Sequence, residues 1–461
     1  MSDKSFDSYS DIEVIVLGAG PAGLSACLAA VEAEKRVLLI DQGKGYLNYF
    51  STDDHYPLDQ AVGGIGGTAK AWGAQCGTFS EIDERDWLSS VGMGTFNEIE
   101  KGISRMGSYL KLPIRKHNAY MFLERKLRKS LDSDRSFGLA HTVYSQSKNF
   151  KVIFSKLINS YFFNYIEGTV LKLSTDNGTQ IKQIVLTDGK TLDVAKKKVV
   201  VALGAIATTR LIQNTSLPSI KVNAEVLDHP QAYVMNINGY IPWIYRKNIY
   251  FKSGNSHFKR KITYFEDGRQ IIFELHTDIG NLRKFFSLLR YNVGATRLIL
   301  HYIVNYIGLK FLRTTFTSEC KHSIWIQTNQ LPINTMRGEQ DCLQPLNWSL
   351  DSNTLLFIKH SARKYAEFLT SIGVEGIELL STERILESLS HSFHPSGTLE
   401  LSNSVSGQLA RQLGRIDSQS NFIVTSSALF PHSGWINPTL IIMGFSYAAT
   451  KVLVSGSGHS S

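Results

Sequence analysis

Cysteine is scarce in this chain: four occur in 461 residues, Cys27, Cys76, Cys320 and Cys342, with no CxxC pair among them. Thiols this sparse argue against a disulfide scaffold and a structural zinc cluster, and they fit a reducing compartment. The opening "MSDKSFDSYS" lacks both the basic start and the apolar stretch of a secretory signal, so cytoplasmic residence is expected. The formal charge of +9 comes without a long Lys/Arg block, a zinc-finger spacing or an RNP-like aromatic motif, which removes the case for nucleic acid as a partner. Long apolar runs are missing as well. The longest in residues 281 to 316 is about 12 residues and includes His301 and Asn305, against the roughly 20 that a membrane-spanning helix needs.

What is present is a chain 43% apolar, long enough to bury a sizeable core and divide it between two domains. "DIEVIVLGAGPAGLSACLAAVEAEKRVLLIDQG" reads as strand, glycine turn, helix and strand. Gly18, Gly20 and Gly23 form GxGxxG, and they serve in turn a tight turn, close backbone approach to a pyrophosphate, and close packing of helix on strand. The free N–H groups at the helix start would face the phosphates. Asp41, at the end of "VLLID", is placed to accept hydrogen bonds from an adenosine ribose. This pattern alone does not separate FAD from NAD.

Three further stretches extend the pattern. "AVGGIGGTAKAWGAQCGTF", residues 61 to 79, is dense in glycine and carries Gly66, Gly67, Thr68 and Trp72, which suits a backbone folded against a flat ligand. "KKKVVVALGAIATTRLIQN" runs from strand to helix through Gly204 and Ala205, after a segment (168 to 194) whose alternation between Asn-Gly and Asp-Gly turns predicts hairpins. Near the end, "FPHSGWINPTL" leads through His432 and Trp435 to Asn437, Pro438 and Thr439. Asn is a good helix cap, and proline is favoured at the first helical position.

Taken in order, "GAGPAG", "GGIGGTAKAWG", "GAIATTRL", "LDHP", "HPSGT" and "FPHSGWINPTL" resemble the glucose-methanol-choline (GMC) oxidoreductases. That resemblance implies an α/β fold: a discontinuous FAD-binding Rossmann-like domain (1–235 and 386–461) with an α+β substrate domain (236–385) built on an antiparallel sheet. It also implies oxidation of an alcohol CH–OH to a carbonyl, with a small-molecule alcohol as substrate and an electron acceptor left open. His394 of "HPSGT" takes the base role, because an imidazole titrating at about 6.5 can accept the hydroxyl proton near working pH. Asn437 holds the substrate oxygen and also caps the following helix. His432 and Trp435 are candidate pocket residues, whereas His391 reads as a structural or pocket-wall residue and His229 as a packing residue. Residues 61 to 79 contain no histidine, so FAD is expected to be non-covalent, and Ser426 stands where many members carry an aspartate. No metal is implied. A lyase use of the same site, or a non-catalytic binding protein on the same fold, are the competing readings.

Between the two parts of the cofactor domain, "YVMNINGYIPWIYRKNIYF" and "KRKITYFEDGRQIIFELHT" read as strands, with Trp243, Tyr245 and Trp325 as either stacking surfaces or core. Residues 281 to 316 pair apolar residues at helical spacing with basic ones and no acidic residue. They read either as helices packed beside the site or as a segment lying peripherally on an anionic membrane surface.

Overall fold

The computed structural model describes residues 9–43, 63–71, 75–77, 84, 87–89, 91–112, 136–144, 150–176, 180–215, 217, 220–222, 226–241, 250–253, 256–278, 321–329, 348, 350–401, 420–430, 432–434 and 437–455. Trp72, Trp243, Tyr245, Trp435 and the basic segment 281–316 lie outside them.

The N-terminal strand β1 (Val14–Leu17) leads through the glycine turn into helix α1 (Pro21–Glu32), which returns to strand β2 (Val37–Asp41). These are the first members of a five-stranded parallel sheet, in the order Phe422–Val424, Lys198–Val201, β1, β2, Phe163–Glu167. A parallel sheet is covered on both faces, so its strands are apolar throughout instead of alternating. Val14, Val16 and Leu39 accordingly pack with residues of α1 and of the helices Met93–Tyr109 and Thr439–Ser455. Ile15, Leu17 and Ile40 point the other way, into a core shared with the helix Ala205–Thr215 and a small antiparallel sheet over residues 170–193. That small sheet is the hairpin unit expected from the sequence.

The second layer system is an eight-stranded sheet whose main path runs Ile377–Leu379, Gln231–Ile237, Lys321–Thr328, Arg269–Asp278, Ser256–Glu266, Phe137–Tyr144, Gln75–Cys76. Tyr250–Ser253 pairs with Ser256–Glu266 as the remaining strand. The pairs of this sheet are antiparallel, and Asp267 (φ 49°) with Gly268 (φ 76°) close one hairpin in the left-handed geometry that two-residue loops favour. Alternate side chains sort to opposite faces. Tyr264, Phe273, Ile324 and Ile326 pack against the helix Ser352–Ser371, where the rings of Phe273 and Tyr365 stack with centroids 3.9 Å apart. The other face carries Lys261, Glu274, Trp325 and Gln327, and Lys261 Nζ lies 3.4 Å from Glu274 Oε1 across the strands, both buried. Sequence alternation thus reads the strands, and their pairing decides that the polar face looks toward the parallel-sheet unit. Among the described residues no helix is long and apolar enough to cross a membrane.

Candidate active site

The carboxyl end of β1 is shaped by two glycines. Gly18 has φ +100°, and a Cβ there would lie 2.5 Å from the Ala202 carbonyl oxygen on the neighbouring strand's exit. Gly23, in the first turn of α1, faces the Gly18 carbonyl so closely that a Cβ would sit 1.7 Å from it. Gly20 is different: a Cβ there would meet nothing within 4 Å, because this residue fronts a cavity. Gly20 is also the N-cap of α1 and supplies no side-chain cap, so the first N–H groups of the helix are left for a ligand.

Asp41 does something the sequence reading did not foresee. Its carboxylate accepts from the backbone N–H of Ala19 (2.7 Å), Gly43 (2.9 Å) and Gly64 (2.6 Å). Gly66 N–H in turn donates to the Ala19 carbonyl at 2.8 Å. Asp41 therefore ties the first glycine turn to the second glycine loop, and three of the roughly four acceptor positions of a carboxylate are already used. It still lines the cavity. Asp41→Ala should strand buried N–H donors at a cost of at least about 2 kcal/mol, read as a lower chemical-denaturation midpoint together with weaker flavin retention.

One cavity, of about 480 Å³, joins the two ends of the site. Its wall includes Gly18, Gly20, Asp41, Gly67, Thr68, Gly204, Ala205, His394, Asn437, Pro438 and Thr439. Gly23 and Gly66 are not on that wall, and they act by shaping the backbone behind it. Gln231, Trp325 and Gln327 face the cavity from the polar side of the antiparallel sheet. The long cleft, the open face at Gly20 and the uncapped start of α1 fit a dinucleotide.

Two sequence expectations shift here. The first i to i+4 bond of the C-terminal helix runs from Ile442 N–H to the Pro438 carbonyl at 2.8 Å, which makes Pro438 the half-in residue. Asn437 lies one position further out, on the cavity wall, instead of at the cap. His432 is buried and its Nδ1 accepts the Gly434 N–H at 3.0 Å, and it is not part of the cavity wall.

"HPSGT" is a hub. Ser396 and Leu227 exchange backbone hydrogen bonds (2.9 and 3.0 Å), zipping the motif to "LDHP". The Pro395 carbonyl accepts from Ser427 Oγ at 2.8 Å, and Gly397 N–H donates to the Ser427 carbonyl at 3.1 Å. Thr398 and Thr209 hydroxyls meet at 2.7 Å. His394 is thus held against three separate parts of the chain. Asp228, fully buried, converges on it: Asp228 Oδ1 accepts from the His229 N–H (2.6 Å), the His394 N–H (3.2 Å) and Ser392 Oγ (2.6 Å). Ser392 Oγ lies 2.9 Å from His394 Nδ1. The His229 ring packs edge-on to that of His394, centroids 5.5 Å apart. Burial lowers the pKa of His394, with the Asp228 carboxylate acting against it, and burial first and His394 second push His229 well below the usual range. Asp228 and Ser392 escaped the sequence reading; the "LDHP" motif was the signal that pointed near them.

A family model described as an FAD binding domain matches residues 13–48, which span β1, α1 and β2. Among solved structures, pyridoxine 4-oxidase from Mesorbium loti aligns with a TM-score of 0.57 at 11% identity, over 95% of this chain and 98% of that one. A fungal aryl-alcohol oxidase aligns with a TM-score of 0.54 at 13% identity, over 96% and 99%. A formate oxidase from Aspergillus oryzae RIB40, studied for the effect of a mutation on FAD modification, gives 0.54 at 12% identity, over 96% and 98%. No curated protein matches the chain at a significant level. The chain therefore has the fold of these oxidases along nearly its whole length, and its first βαβ unit is of the FAD-binding kind.

Proposed function

We propose that this protein is an FAD-dependent oxidoreductase of the GMC type that converts the CH–OH of a small alcohol to a carbonyl. The observation that carries the reading is the single cavity joining the glycine turn of β1 to His394 and Asn437. FAD would be held, non-covalently, by Gly18, Gly20, Gly67, Thr68, Gly204, Ala205, Pro438 and Thr439. Bound FAD supplies the acceptor for the hydride leaving the alcohol carbon. His394 takes the hydroxyl proton, so that positive charge collects on the imidazole as the carbonyl forms. The Asn437 amide orients the same oxygen. Gln231 and Gln327, paired across neighbouring strands, offer amides on the same cavity wall, which suits a substrate with further hydroxyl groups, of sugar or other polyhydroxylated type. We place the protein in the cytoplasm, with residues 281–316 as the part that would meet a membrane surface.

The test is an anaerobic panel of alcohols against the purified flavoprotein, following bleaching of the flavin absorbance. A preparation without flavin, or one that no alcohol bleaches, would count against the proposal. The pH dependence has a definite sign. His394 must be neutral to accept a proton, and its pKa lies below the ordinary value of about 6.5. The rate of flavin reduction should hold above that value and fall as pH drops through the lowered pKa. An ascending limb centred above about 6.5 would contradict the lowering by burial, and a rate with no acid limb at all would count against His394 as the base.

A further inference from the structure

The alcohol reading leaves open which imidazole nitrogen of His394 is the base, and it assigns nothing to Asp228 or Ser392. We infer that Asp228 and Ser392 form a positioning relay that fixes the tautomer of His394, with the proton on Nδ1 and the lone pair on Nε2. The inference rests on the proposed function for its consequence, and on geometry alone for its content.

Two main-chain N–H groups, of His229 and His394, end on Asp228 Oδ1. That oxygen is therefore an acceptor, whichever protonation state the other carboxyl oxygen adopts. Ser392 Oγ reaches the same oxygen at 2.6 Å, so its hydroxyl must donate there. A serine hydroxyl has one hydrogen. With that hydrogen committed to Asp228, the 2.9 Å contact between Ser392 Oγ and His394 Nδ1 leaves only one assignment: Nδ1–H donates and the serine oxygen accepts. In the neutral ring the lone pair then sits on Nε2, the nitrogen turned away from the relay. His229 on the "LDHP" segment packs against the ring, His432 on the segment before the C-terminal helix acts on His229, and Asn437 lines the same cavity. Lys261 on the antiparallel sheet lies close enough to disfavour charge on His229. None of these replaces the Ser392 contact at Nδ1.

The device suits proton removal. An imidazole free to choose would divide its population between tautomers, and the fraction carrying H on Nε2 could not accept a proton there. Asp228 lies behind the cavity wall, and Ser392 sits on that wall beside His394. They act through His394.

The decisive measurement is the tautomer itself, read on the full-length protein as purified. Long-range ¹H–¹⁵N correlation spectra of ¹⁵N-histidine-labelled protein, with His394→Asn to assign the signal, should show the Nδ1–H form in the wild type at pH above its titration. A wild-type His394 in the Nε2–H form would overturn the relay, whatever the enzyme does with alcohols. Ser392→Ala should shift the ring to a tautomer mixture, and Ser392→Thr should restore the wild-type pattern because it keeps the hydroxyl. An unchanged spectrum in Ser392→Ala would also overturn it. If Ser392→Ala does not fold, Ser392→Cys, a weak acceptor, takes its place. With a bleaching alcohol in hand, Ser392→Ala should reduce the limiting rate of flavin reduction about 10- to 100-fold, less than the roughly 10²- to 10⁴-fold a base itself contributes, with less effect on KM. A correct tautomer in a protein that no alcohol bleaches would refute the oxidoreductase reading and leave the relay standing.

Discussion

Replacing His394 by alanine is expected to slow anaerobic flavin reduction by about 10²- to 10⁴-fold, the range a positioned general base contributes, with the flavin still bound. The structural grounds are that the ring fronts the cavity while the backbone around it is held by other atoms. The His394 N–H to Asp228 bond survives the substitution, as do the Ser396–Leu227 pair and the Pro395–Ser427 bond. The loss should fall on the limiting rate more than on KM, because proton removal strengthens only as the C–H bond breaks. The pH limb described above should vanish from whatever activity remains. A variant that reduced its flavin at the wild-type rate would remove His394 from the chemistry. A variant that lost its flavin or its fold would instead mark His394 as a structural histidine, the competing reading for a lone buried imidazole beside a turn.

How much of this was legible in the sequence depended on how local the cause was. The β1–α1–β2 unit could be read because its glycines answer to contacts within one turn, and because strands buried on both faces appear as plain apolar runs. His394 and Asn437 could be picked out through motif resemblance, and the structure sets both on one cavity wall. The Asp228–Ser392 bond joins residues 164 apart, and nothing in either local pattern announces it. Asp41 shows the same limit from another side. A carboxylate at the end of β2 suggested a ribose, whereas the folded loop brings Gly43 and Gly64 onto one of its oxygens. The capping position moved by one residue because a proline carbonyl can accept the first helical bond as readily as an asparagine carbonyl. The identity of the cavity wall that the antiparallel sheet supplies needed the strand register, which put Trp325 and Gln327 on the face away from the helix Ser352–Ser371.

The contrast between Gly23→Ala and Gly20→Ala should be the sharpest test of the cofactor site. At Gly23 the new methyl would meet the Gly18 carbonyl oxygen at 1.7 Å and its carbon at 2.9 Å, both backbone atoms that cannot swing aside. Helix α1 cannot back away either, since Ala22 through Ala30 are buried without a break. We expect destabilisation of at least about 3 kcal/mol, the upper range for overpacking a core, and a protein purified with little or no flavin. At Gly20 the backbone is extended (φ −71°, ψ −177°), a conformation alanine adopts freely, and the methyl would enter open cavity. Stability there should change by less than about 0.5 kcal/mol, the usual span away from packing contacts. Flavin affinity should nonetheless fall, because the methyl occupies the space where a pyrophosphate would approach the helix start. Chemical denaturation of both apoproteins, together with flavin titration, separates the two effects. If Gly20→Ala bound flavin as tightly as the wild type, the pyrophosphate would not lie against this turn, and the assignment of the β1–α1 junction to the cofactor would fail.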